Sequence, residues 1–148
     1  MSPDAITAGV PVGPDLLPLF GWALFTVLAL VVTVVTGIRG MRGPHYAWVI
    51  VTLAGLAVAI RVAGDVGSQL VFEGLADTAK TIHFWAVGLD FLVLPIAAIS
   101  GIRLARASAA DEPGRRALHR KAAWALVVLL VITVILGTTM TLTASPKI

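Results

Sequence analysis

The chain has 148 residues, 58% of them hydrophobic, with a mean hydropathy of +0.96 and a formal charge of +3. So little polar sequence excludes a separate soluble domain beside the apolar stretches, and residues 1–148 read as one membrane domain. The lack of cysteine excludes disulfides, thiolate metal sites and thiol nucleophiles, and most of the 11 Lys and Arg lie in two short loops at helix ends, which indicates membrane topology rather than a nucleic-acid surface.

Residues 1–15 carry Asp4, Asp15 and three prolines but no Lys or Arg. They lack the basic start of a signal peptide, so the first span is expected to stay uncleaved. That span runs from Leu16 to Ile38 without a single Asp, Glu, Lys or Arg, long enough for a hydrocarbon core that needs about 20 apolar residues of helix. Gly37 to Pro44 then reads as a tight turn, punctuated by glycines and closed by a proline near the first turn of the next helix. A loop this short makes the first two spans neighbours.

The second span, Tyr46 to Gly64, contains Arg61 near its end. The segment from Asp65 to Lys80 is too polar to cross, and Val66, Leu70, Val71 and Leu75 suit either a short interfacial helix or an ordinary amphiphilic loop. The third span, Phe84 to Ile102, holds Asp90 well inside it. A carboxylate in hydrocarbon costs about 2.5–3.5 kcal/mol on insertion scales, so Asp90 is expected to face the protein interior and either carry a proton or meet a cation. Arg61 falls at a similar depth and is the expected partner in a buried polar pair, although Asp65 lies one turn from Arg61. With His83 a heptad before Asp90, the pair reads either as a proton or ligand site or as an ion pair that fixes helix register.

The loop before the fourth span holds Arg103, Arg106, Arg115, Arg116, Arg120 and Lys121, on the same side as Arg39 and Arg42. The other side carries Arg61, Lys80 and Lys147 against Asp4, Asp15, Asp65, Glu73 and Asp77. The positive-inside rule therefore puts both termini outside the cytoplasm. The fourth span, Ala122 to Pro146, is free of charge until its end and rich in hydroxyls at Thr138, Thr139, Thr141 and Thr143. These either line a polar pocket or bond to their own helix. Long charge-poor runs mean helices rather than barrel strands, and the expected fold is all-α, an up-and-down bundle of four transmembrane helices in the cell inner membrane.

Small residues recur every fourth position at Gly55, Ala59 and Ala63, at Ala97, Gly101 and Ala105, and at Thr133, Gly137 and Thr141, as on helix faces that approach closely. Trp22, Trp48, Trp85 and Trp124 sit near span ends, as interfacial anchors do. Three histidines, His45, His83 and His119, each stand just before a span. Imidazoles on neighbouring helices are able to ligate haem iron, and His45 and His119 share a side. Histidines also favour interfaces on their own account, and the basic run around His119 suits a lipid-facing anchor. The halves show no convincing internal repeat, which argues against an inverted-repeat transporter. There is no HExxH motif and no Ser, His and Asp set at a common depth, so the chain is expected to be non-enzymatic.

The order of the Gly- and Arg-bearing turn into His45, Ile82-His83 opening the third span, Leu94-Pro95 within it, and His119-Arg120 leading to Trp124 resembles the four-span membrane family around the cytochrome oxidase assembly factor CtaM, over about residues 20–142. The resemblance implies a role in respiratory cytochrome oxidase biogenesis or haem handling, with His45, His83 and His119 as cofactor ligands, haem b as the cofactor and a respiratory membrane complex as the partner. The chain departs from that pattern in having Arg61 and Asp65 where the family carries a further histidine, and in a longer spacing from His83 through Pro95 to His119. A small b-type haem electron-transfer protein and an accessory subunit of a larger membrane complex are the alternatives.

Overall fold

The computed structural model describes residues 14–147. The segment bearing Asp4, on which the expectation of an uncleaved first span rests, lies outside them. The described residues form four long helices: α1 (Leu17–Ile38), α2 (Arg42–Gly67), α3 (Leu75–Ala105) and α4 (Glu112–Thr143). Each is long and apolar enough to cross a membrane, and the protein is an all-α, multi-pass membrane protein.

Helices α3 and α4 begin well before their apolar stretches, at Leu75 rather than Phe84 and at Glu112 rather than Ala122. Hydropathy marks where a helix enters hydrocarbon, and a polar sequence continues the helix beyond that point. The first turn of α4 shows how. Glu112 and Pro113 suit a helix start, and Arg115 and Arg116 each reach back four residues, to Asp111 and Glu112. The segment that joins the second and third spans contains no helix of its own. Between α2 and α3 the chain instead forms a two-residue strand, β1 (Leu70–Val71), paired antiparallel with β2 (Ser145–Pro146), and the Lys147 amide donates to the Gln69 carbonyl at 2.9 Å.

The turn after α1 is a helix stop built on Gly40. Its φ of 68° is left-handed, its amide donates to the Gly37 carbonyl, and the Met41 amide donates to the Thr36 carbonyl. Two otherwise orphaned carbonyls are thereby satisfied, in the pattern of a Schellman motif. Pro95 sits inside α3, where the carbonyl one turn earlier loses its amide partner, an interruption that membrane helices tolerate.

The described helices pack as two compact units. In the first, α1 packs antiparallel on α2 and the β1–β2 ribbon joins them; the second is the α3–α4 hairpin, Phe72–Ala144. Each hairpin buries small residues and exposes large ones. Ala29, Ala76, Ala79, Ala86 and Ala97 are buried together with Thr26, Thr33, Thr36, Thr52, Ser100 and Thr141, while Ile38, Ile50, Trp85 and Leu92 are exposed. This pattern suits lipid, which solvates leucine as well as another leucine does, so that helices associate through close approach and hydrogen bonds.

Replacing Gly40 by Ala forces a Cβ into left-handed backbone and is expected to cost about 1 kcal/mol. Gly43→Ala, in the first turn of α2 with no atom within 4 Å of the added carbon, is expected to be neutral or stabilising. Reversible unfolding of the two variants in the same detergent checks the difference.

Candidate functional site

The polar side chains within the hairpins fall into a repeated arrangement. On α1, Thr33 is followed one turn later by Gly37; on α2, His45 is followed two turns later by Thr52. The His45 ring occupies the space that the Gly37 side chain would take, since a Cβ there would stand 3.0 Å from His45 Cε1. Nδ1 of His45 lies 2.9 Å from the Thr33 carbonyl, and the Thr33 and Thr52 hydroxyls lie 2.9 Å apart.

The second hairpin repeats this with the helices exchanged. Thr133 and Gly137 stand on α4, and His83 and Asp90 stand on α3. The His83 ring fills the notch at Gly137, again 3.0 Å from the would-be Cβ. Its Nδ1 lies 3.0 Å from the Thr133 carbonyl, and the Thr133 hydroxyl donates to Asp90 Oδ2 at 2.7 Å. The arrangement follows from helix geometry. A carbonyl points toward the helix C-terminus and a side chain leans toward the N-terminus, so one threonine reaches the histidine with its carbonyl and the residue a heptad beyond with its hydroxyl.

A third instance is apolar. His119 on α4 lies against Gly101 of α3, with 3.1 Å from Cε1 to the would-be Cβ, but Ala97 and Leu126 occupy the positions of the threonine and its partner. Here Nδ1 meets the Ser100 hydroxyl at 3.1 Å. That hydroxyl spends its proton on the Ala97 carbonyl at 2.8 Å, so the imidazole is the donor. Carbonyls only accept, so His45 and His83 donate through Nδ1 as well. All three rings therefore carry a proton on Nδ1.

Asp90 is buried, with 9% of its surface exposed, and Oδ1 has no hydrogen-bond partner. Of the two residues expected as a buried polar pair, Asp90 is buried and Arg61 is exposed. Arg61 has its side chain 80% exposed and meets Asp65 at 3.4 Å, one turn along α2, because a surface guanidinium finds a local acid at no cost in burial. Near the C-terminal end of α4, Thr139, Thr141 and Thr143 bond to their own helix, each donating to the carbonyl four residues back.

Within the second hairpin the structure holds His83 and His119 apart. His83 lies level with Gly137, and the stretch of α4 from His119 to Gly137 rises about 27 Å, so these two imidazoles do not serve one iron. His45 belongs to the first hairpin. Among the described residues no three His, Asp or Glu side chains gather as a metal site.

The expectation of no internal repeat missed the glycine notches and their carbonyl acceptors. A signal was present: Thr36-Gly37-Ile38-Arg39 closes α1, and Ser100-Gly101-Ile102-Arg103 recurs near the end of α3, each followed by a histidine at the start of the next helix. No protein-family model, no curated protein and no solved structure matches the chain.

Two outcomes test the notch. Gly137→Ala is expected to destabilise the protein by about 1–3 kcal/mol through overpacking, and to cost clearly less in a His83→Ala background. A double-mutant cycle of unfolding in detergent measures that coupling. Thr133→Val, which removes the hydroxyl that donates to Asp90 Oδ2, is expected to cost about 1 kcal/mol, read in the same way.

Proposed function

We propose that this is a haem-handling protein of the cell inner membrane that serves respiratory cytochrome oxidase biogenesis, non-enzymatic in itself, with His45, His83 and His119 as the ligand candidates. The observation that supports this reading is the shared state of the three rings. A ligating histidine characteristically spends its Nδ1–H on a neighbouring acceptor, which fixes the ring and makes Nε2 the coordinating nitrogen. Each of these histidines makes that bond, to Thr33, to Thr133 or to Ser100.

The donor chemistry fits iron of a b-type haem, and the distance between His83 and His119 limits each end of the second hairpin to one protein ligand. When bound, haem would supply an iron centre able to exchange an electron or be passed on. The chain's own residues would fix the imidazole tautomer and hold each ring at a defined level on its helix.

A reduced-minus-oxidised visible spectrum and a pyridine haemochrome assay on gently solubilised protein from haem-replete membranes test the reading. The expected result is a b-type spectrum that falls several-fold in His45→Ala or His119→Ala. Absence of haem from the native protein, together with normal oxidase assembly after deletion, would overturn it.

The glycine notches favour a second reading, an accessory subunit of a larger membrane complex. An imidazole that fills a notch and donates to the opposite backbone pins a helix pair without any iron. This reading expects partners that co-purify under gentle detergent. In both readings the charge asymmetry puts the termini outside the cytoplasm, so a reporter inserted in the α3–α4 loop is expected to behave as cytoplasmic and one at the C-terminus as external.

A further inference from the structure

Where α3 gives way to α4, Ser100, Arg103, Arg115 and Leu118 line an open cleft of about 350 Å³. The acids at the start of α4 are already engaged by its own cations: Asp111 by Arg115 at 3.3 Å, and Glu112 by Arg116. Arg115 also donates to the carbonyl of Arg103 at 3.2 Å, which holds it over the end of α3. The Arg103 guanidinium itself meets no acidic side chain among the described residues. Ser100 has its proton on the Ala97 carbonyl and accepts from His119. The donors that the cleft offers an anion are therefore its two arginines.

The depth order of the lining distinguishes the anion. Arg103 stands in the last turn of α3 and Arg115 in the first turns of α4. Four residues before Arg103, in the apolar part of α3, stands Ile99, 50% exposed, and Leu118, 54% exposed, lines the cleft three residues after Arg115. Cations beside uncovered apolar side chains match an amphiphile, with its head on the arginines and its chains against Leu118 and Ile99. A free inorganic anion would use the rim and leave the apolar shelf untouched.

We infer that this cleft binds the phosphate headgroup of an anionic phospholipid, with Arg103 and Arg115 on the phosphate and Ile99 and Leu118 beside the first acyl carbons. Basic pockets between transmembrane helices suit such headgroups, because a guanidinium pairs two of its N–H groups with phosphate oxygens and remains charged at an interface. The site lies within the α3–α4 hairpin and does not depend on whether the histidines hold haem.

The test is titration calorimetry on the full chain in a neutral detergent, using a short-chain phosphatidylglycerol, the matched phosphatidylcholine and inorganic phosphate. The expected result is saturable binding of phosphatidylglycerol, at least about ten-fold tighter than phosphatidylcholine and weakened about ten-fold by Arg103→Gln. Arg39→Gln, at the corresponding place on α1, should bind as the native chain does. Arg103→Gln keeps the backbone carbonyl on which Arg115 rests, so it removes charge without removing that contact; Arg115→Gln supplies an independent second variant. Equal binding of the two lipids, or native binding by both variants, would overturn the inference. Displacement of phosphatidylglycerol by inorganic phosphate at matched concentration would overturn it in favour of a soluble anion.

Discussion

An imidazole seated in the space that a glycine leaves open on the facing helix is the contact on which the packing of both hairpins turns. In water, two helices would come together by hiding leucine and isoleucine; in lipid that gain vanishes, and association rests on dispersion between closely set backbones and on hydrogen bonds between helices. Gly37, Gly101 and Gly137 each remove a side chain at the contact, and in each case an imidazole takes the space. The ring contributes both of the available forces at once, filling the notch and donating to the opposite helix. The large apolar residues are thereby left for the lipid, which is why Ile50, Phe91 and Trp85 face outward while alanines and threonines are buried.

The same geometry explains why polar residues survive at membrane depth. A threonine one turn before the glycine has a carbonyl and a hydroxyl that point in opposite directions along the helix, so it serves two partners on the facing helix. In the first hairpin the second partner is Thr52, and the interaction is between neutral hydroxyls. In the second it is Asp90, whose other oxygen has no partner. Substituting a carboxyl for a hydroxyl at one position places the chemically most demanding group of the chain in this framework. At His119 the same framework has become apolar, with Ala97 and Leu126, and the histidine turns to Ser100 instead.

The structural role of these histidines and the ligand role proposed for them draw on one feature. A ring whose Nδ1–H is fixed by a neighbouring backbone is rigid, which helps a helix pair hold its register, and it has a defined tautomer, which is what a metal requires of its ligand. At the end of α3 this pinning coincides with the basic rim: Ser100 accepts from His119 and lines the cleft beneath Arg103 and Arg115. The position of α3 against α4, the tautomer of His119 and the placing of two cations over an apolar shelf thus share a single turn of helix.

The sequence by itself determined the four apolar helices, the tight turn before Pro44 and the faces along which helices meet. Hydropathy and small-residue spacing are local properties, and Gly55, Ala97, Gly101, Gly137 and Thr141 do lie where helices approach or chains are buried. The sequence also supplied the residues of every polar contact. It did not supply their pairing. Arg61 and Asp90 looked matched by depth, yet depth says nothing of azimuth, and only the packed helices show Arg61 turned outward to Asp65 and Asp90 turned to Thr133. The histidines were legible as three residues near span starts. That each lies in a glycine notch with its Nδ1 on the facing helix was decided by the tertiary structure, because it depends on which turn of one helix stands opposite which turn of another.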